Sequence, residues 1–267
     1  MPDLNHIVST RSAEGVQVWT MNAAPVNAID PDFIDALNAR YDAALADPAI
    51  AVVVIASGLS VFSAGADASW MSRTVADHGL DHLLAEFNRT MDRFRELCLR
   101  LRRGPLLTVA AIGGHALAGG LELAAACDLR FVADRDELRL GAPEMKLFGV
   151  LPSGGGGAQY LTRLMGPARA LHFMLHAEHI NPREAAGLGL ADVLCPPDEL
   201  MATTQEFAVT AARRAGRVGI SAARRAVFGG HELPLAEALD LDHALHWDAM
   251  RRGNFLPGVE SFTKRFG

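Results

Sequence analysis

The sequence predicts an α/β fold with a helical C-terminal third. Two observations carry this. Through the first half, short apolar runs rich in β-branched residues alternate with stretches at helical spacing. From Ala158 onward the pattern is mostly helical, broken by glycine and proline. Val16 to Met21 (VQVWTM) reads as a strand. Asp30-Pro31 supplies an N-cap with proline at the first helical position, and Ile34, Leu37, Tyr41, Ala44 and Leu45 follow at helical spacing. Val52 to Ile55 is all apolar and β-branched, as expected of a strand covered on both faces. Leu83, Leu84, Phe87, Met91, Phe94, Leu97, Cys98 and Leu101 mark an amphipathic helix whose far face carries Glu86, Arg89, Arg93 and Arg95. Leu106 to Ile112 is a further strand, Gly119 to Cys127 a helix opening from glycine, and Leu129 to Ala133 a strand again. Gly166-Pro167, Asn181-Pro182 and Pro196-Pro197 punctuate the remainder. The last pair is the best boundary, dividing a core of residues 1–196 from a C-terminal helical region, 197–267.

Composition excludes several classes. A chain of 267 residues is one large domain, or one domain with a small appendage, given about 100–200 residues per domain. Net charge is −6, with 25 Lys+Arg against 31 Asp+Glu, whereas phosphate-backbone binding asks for a basic surplus. Cys98, Cys127 and Cys195 are odd in number and far apart, which argues against a disulfide scaffold and a structural zinc site. The N-terminal MPDLNHIVSTR lacks a basic-then-apolar leader pattern. Gly104 to Leu121 carries no formal charge, but with Pro105, His115 and several glycines it fits a buried strand, turn and helix better than a membrane span. The expectation is a cytoplasmic protein that neither spans a membrane nor binds nucleic acid.

Several nucleotide and nucleophile motifs are missing. There is no P-loop, no well-formed G-x-G-x-x-G between strand and helix, and no G-x-S-x-G elbow, since Val61 stands where that elbow needs glycine. His172, His176 and His179 are spaced as one helix face, but no carboxylate cluster completes a ligand set, so no metal site is expected. More informative are Phe62-Ser63-Ala64-Gly65-Ala66-Asp67 and Gly113 to Leu123 (GGHALAGGLEL). Each follows an apolar run and ends in small residues before a helix. Small residues let a ligand approach the main chain, and two free N–H groups facing one point would form an oxyanion hole. Tight turns that merely require glycine would look the same. Glu122 (in LELAAAC) and Glu144 (in GAPE) are carboxylates among apolar or neutral neighbours. Burial would raise their pKa toward values useful in acid–base chemistry, although either could be a surface residue.

Together these segments resemble the enoyl-CoA hydratase/isomerase, or crotonase, superfamily. Ala24-Pro25-Val26-Asn27-Ala28-Ile29, Asp47 to Ile55, FSAGAD, GGHALAGGLELAAACDL, GAPE, the glycine run, Asn181 to Val193 and Pro257 to Arg265 match in order, almost end to end. The resemblance implies a spiral of ββα repeats with a C-terminal helical trimerisation region, hence a homotrimer or hexamer, and an acyl-CoA substrate. It places the oxyanion donors at the Ala66 and Gly119 N–H groups. It makes Glu122 and Glu144 the catalytic pair, Glu122 activating water and Glu144 protonating C2. It assigns coenzyme A contacts to Ala24, Val26, Ala64, Gly65, Asp67, Ala68 and Leu117, with Phe262 and Lys264 closing over the nucleotide, often from a neighbouring subunit. No metal or redox cofactor is implied; coenzyme A is part of the substrate.

The sequence also departs from the family pattern. The interval from Glu122 to Glu144 is about two residues longer than the commonest spacing, with extra residues in Ala133 to Leu138, and Glu144 to Gln159 is longer too. Ser153 falls where a glycine usually helps to hold the catalytic water. Ala68-Ser69-Trp70 replaces a segment that often carries lysine, and His115 stands where Tyr or Ala is more usual. Two other readings stay open. One is a different CoA-thioester reaction on the same oxyanion hole: isomerase, lyase, decarboxylase or dehalogenase. The other is a catalytically idle trimeric binding protein, RNA-binding included.

Overall fold

The computed structural model describes residues 6–11, 14–176, 179–253 and 255–266. The first five residues of the segment read for a leader lie outside these. The chain opens with an antiparallel pair, β1 (Ile7–Arg11) and β2 (Val16–Met21), followed by α1 (Pro31–Ala46). Asp30 caps α1 as expected, its Oδ1 accepting from Phe33 N at 2.8 Å. Three ββα turns follow. The first is β3 (Val52–Ser57) and β4 (Val61–Ser63) with the helical hairpin α2 (Ala68–His78) and α3 (Leu80–Arg103). The second is β5 (Leu107–Ile112), β6 (His115–Leu117) and α4 (Gly119–Ala126). The third is β7 (Leu129–Ala133), β8 (Leu140–Gly141) and α5 (Glu144–Phe148). After α6 (Gly157–Met165) and α7 (Pro167–His176) come β9 (His179–Ile180), α8 (Pro182–Gly187) and β10 (Val193–Cys195). The C-terminal helices are α9 (Leu200–Arg224), α10 (Leu235–Arg252) and α11 (Phe255–Phe266).

In each turn the first strand joins one sheet and the second crosses to another. The larger sheet runs β1-β2-β3-β5-β7-β10 and is parallel from β2 onward; the smaller runs β4-β6-β8-β9. β3 and β5 lie central in the large sheet, and their side chains are buried almost throughout, as the unbroken apolar runs require. α9 packs on that sheet through Leu200, Ala208, Ala212 and Ile220. It is broken at Gly216, where φ is 60° and ψ 178°.

Some elements leave no mark in the sequence, and one expectation changes. The strands of the small sheet are two or three residues long, too short for a period-two pattern to show. α2 also escapes the apolar count, because most of its side chains are exposed. The spacing of His172, His176 and His179 is not one helix face: α7 ends at His176, and His179 belongs to β9. The His172 and His176 rings stack 4.2 Å apart, and no group that could hold a metal occurs among the described residues. Gly104 to Leu121 supplies β5, β6 and the start of α4, and no described helix is long and apolar enough to cross a membrane.

Candidate active site

The two glycine-rich turns lie against each other. β4 delivers Ser63 to Ala66 beside the loop of residues 22–29. There Ile29 N donates to Gly65 O at 2.8 Å, Ala64 N to Val26 O at 3.1 Å, and Asp67 N to Ile29 O at 3.1 Å. Asn27, fully buried with φ 48°, fixes this loop. Its Oδ1 accepts from Ala23 N, while its Nδ2 donates to Ser57 Oγ and Phe62 O. Ser63 Oγ donates back to Asn27 O and accepts from Gly65 N. Asp67 caps α2, accepting from Trp70 N at 2.9 Å.

The second turn presses on the first. A Cβ at Gly65, where φ is 89°, would stand 2.6 Å from Ala118 Cβ and 3.0 Å from Gly119 N. Only glycine permits that approach and that backbone. Ala118 holds φ 50° and ψ −127°, a sparsely populated conformation for a residue with a side chain. It is pinned by Ala118 N donating to Gly141 O. α4 begins at once, so its first amides have no intrahelical acceptor. Among the described residues, neither the Ala66 N–H nor the Gly119 N–H has a protein acceptor. Two uncommitted donors therefore occupy touching turns, one of them at the positive end of a helix.

One turn into α4, Glu122 is 4% exposed. Its Oε2 accepts from Gly155 N and Gly157 N, each at 2.7 Å. Burial pushes its pKa up, and the amides of residues 154–157 oppose that without cancelling it. The cradle needs its glycines: a Cβ on Gly155 would meet the Phe94 ring at 2.8 Å, and one on Gly157 would meet Glu122 Cγ at 2.8 Å. Glu144 opens α5 half-buried, with Oε2 lacking a hydrogen-bond partner. Burial is the main reason its pKa rises to about 7; the charge of Glu122 adds to the rise, and a backbone hydrogen bond at Glu144 itself opposes it. The charge of Glu122 thus reaches the Glu144 carboxyl.

The structure brings Ala24, Val26, Ala64, Gly65, Ala66, Asp67, Ala68, Leu117 and Gly119 into one neighbourhood at these turns, with Glu122 one helical turn beyond Gly119. Phe262 and Lys264 stand exposed on α11, whose main packing partner is α10. Ser153 is exposed, and Gly155 and Gly157 are the residues that hold Glu122. Sequence reasoning did not single out Asn27, Ser63, Gly155 and Gly157 as parts of the site. The glycine run was the available signal for the last two.

Residues 11–266 match the family model for enoyl-CoA hydratase/isomerase. The chain is 30% identical over 251 residues to the Probable enoyl-CoA hydratase echA8 of Mycobacterium bovis, covering 94% of this chain and 92% of that protein. It is 34% identical over 206 residues to the glyoxysomal fatty acid beta-oxidation multifunctional protein MFP-a of Brassica napus, covering 76% of this chain and 27% of the relative. The chain thus spans only about a quarter of the length of the first curated relatives it matches. An enoyl-CoA hydratase structure from Geobacillus kaustophilus HTA426 superposes with a TM-score of 0.87 at 30% identity, covering 97% of this chain and 94% of that one. On the match of almost its whole length, in sequence and in fold, the chain belongs to the enoyl-CoA hydratase/isomerase family.

Proposed function

We propose that the protein is an enoyl-CoA hydratase, adding water syn across the double bond of a 2-enoyl-CoA thioester. The observation that carries this is the pair of carboxyls with raised pKa, Glu122 and Glu144, the charge of the first acting on the second, with Glu122 one helical turn beyond the uncommitted Gly119 amide. Water attacks C3, its oxygen forming the new C–O bond while Glu122 accepts the proton. The C2–C3 π electrons move toward the thioester, and the growing charge on its oxygen meets the Ala66 and Gly119 N–H groups. Glu144 then delivers a proton to C2. Each amide donor contributes about 3–4 kcal/mol to such a transition state, and each placed acid or base a factor of about 10²–10⁴. The step is redox-neutral, so the proposed cycle draws on no redox cofactor, and the amides take the part a Lewis acid could play.

Coenzyme A, on this reading, runs along Ala24, Val26 and Ala64 to Ala68, with Phe262 and Lys264 reaching it from a neighbouring subunit of a homotrimer or hexamer. The test is loss of the conjugated-thioester absorbance of crotonyl-CoA and longer 2-enoyl-CoAs, with product analysis. Glu122→Ala and Glu144→Ala are each expected to lose at least about 100-fold in kcat while still binding a saturated acyl-CoA. Conversion to a shifted alkene instead of a 3-hydroxyacyl product would replace the hydratase reading with an isomerase.

A further inference from the structure

Beside the Glu122 cradle lies a cavity. It occupies about 1100 Å³ between the end of α3, α6 and a π-helical turn (Arg225–Gly229) that runs on from α9. Gly155 and Gly156 are part of its lining, and Gly155 N is one of the amides that hold Glu122. Its lining is mixed in a particular way. Leu99, Leu164, Val227 and Leu241 supply an apolar surface, and Leu99 and Val227 are exposed to it without covering.

The cationic groups outnumber their counter-charges. Arg102 and Arg224 share one buried carboxylate, Asp128, at 4.0 and 2.6 Å. Arg103 and Arg163 share an exposed one, Glu232, each at 3.8 Å, too far for a hydrogen bond. Arg95 is paired with Asp92, and Arg93 with Asp35 outside the cavity, while Glu96 is the remaining acid of the lining. Neither Arg103 nor Arg225 donates a hydrogen bond to protein among the described residues. This excess stands out in a chain of net charge −6. Arg163 Nη1 donates to Gln159 O and Oε1, each at 3.2 Å, which leaves its Nε and Nη2 and all the Arg103 donors without a hydrogen-bonded protein acceptor among the described residues, and such planar groups suit a carboxylate in particular. π-helical turns recur at functional sites, and one forms this wall. A concave, mainly apolar cavity with a few convergent polar groups is how small-ligand sites are built.

We propose that this cavity binds a small amphiphilic carboxylate, its head group between Arg103 and Arg163 and its apolar body along Leu99, Val227 and Leu241. The site is separate from the turns that would hold the thioester, and the proposal does not depend on the reaction above. The experiment is calorimetric titration of the full-length protein with decanoate below its micelle concentration, alongside decanol and inorganic phosphate. Saturable binding at one decanoate per chain is expected, undiminished by excess coenzyme A. Decanol should bind at least about tenfold more weakly. The Arg103→Gln/Arg163→Gln double variant changes two exposed groups and should weaken decanoate to the same degree while melting as the parent does. Absence of saturable binding, equal affinity for decanol, displacement by coenzyme A or by equimolar phosphate, or an unaltered double variant would each overturn the proposal. Comparing decanoate with decanol on the parent protein decides the question even if the double variant does not fold.

Discussion

Glu144 holds its proton to about pH 7, mainly because half-burial disfavours its charge. In the proposed hydration it must be protonated to supply C2, whereas Glu122 must be ionised to accept from water. The kcat/KM profile should therefore rise through the pKa of Glu122, above the ordinary carboxylate range, and fall as pH passes about 7. Stability follows the same group. Its folded pKa lies above the unfolded value of 4.5, so the stabilisation it gives is complete below that pH and is lost as pH rises through about 7. Glu144→Gln removes this loss. At pH 8 the variant should melt higher than the parent by a few degrees, corresponding to about 1 kcal/mol for a half-exposed group, and at pH 4.5 by almost nothing. Thermal unfolding at the two pH values checks the sign; an equal gain at both would mean that the charge on Glu144 costs the fold nothing.

At the scale of the element, the first turn is only as firm as Asn27. Its side chain ties Ala23 to Ser57 at the end of β3 and to Phe62 in the middle of β4, and its carbonyl accepts from Ser63 Oγ, which in turn receives Gly65 N. Asn27→Ala would leave several buried donors and acceptors without partners, each costing about 1–3 kcal/mol. A fall of about 2–4 kcal/mol in urea unfolding is expected, together with a loss in kcat. Asn27→Asp keeps the acceptor, loses the donor to Phe62 O, and should fall between the two. A kcat equal to the parent's in Asn27→Ala would show that the turn holds without it. The same elements show what is legible locally. The proline-capped start of α1 and the apolar runs of β3 and β5 are visible in the residues themselves, because capping chemistry and covered strands leave local patterns. β8 and β9 are two residues each and leave none.

Across the whole molecule, a buried ion pair adds to the apolar packing that attaches α9 to the core. Arg224 on α9 donates to both Asp128 oxygens, at 2.6 and 2.9 Å, and to the carbonyls of Leu101, Arg102 and Gly104 at the end of α3. Asp128 also accepts from Thr108 N and Oγ1, so the pair joins α9, α3, β5 and the start of β7. Arg224→Leu would strand that carboxylate and is expected to cost about 3–5 kcal/mol; adding Asp128→Asn should restore part of it, measured by the urea midpoint. Beyond α9, Leu235, Leu256 and Phe262 are 66–76% exposed on α10 and α11. So much uncovered apolar surface suits the proposed assembly, and sedimentation should give three or six chain masses; a single chain mass would remove it.

The longer strands and helices, the two glycine turns and the carboxylates worth weighing were present in the residues, because each is encoded within about ten neighbours by periodicity, caps and small side chains. Tertiary structure decided the rest. Glu122 finds its two amide donors 33 and 35 residues away, and Ala118 meets both Gly65 and the Gly141 carbonyl from other parts of the chain. The crowding of arginines beside the cradle likewise joins α3, α6 and the turn after α9. Contacts between segments so far apart in sequence arise when sheets stack and loops close, and no local pattern of side chains records them.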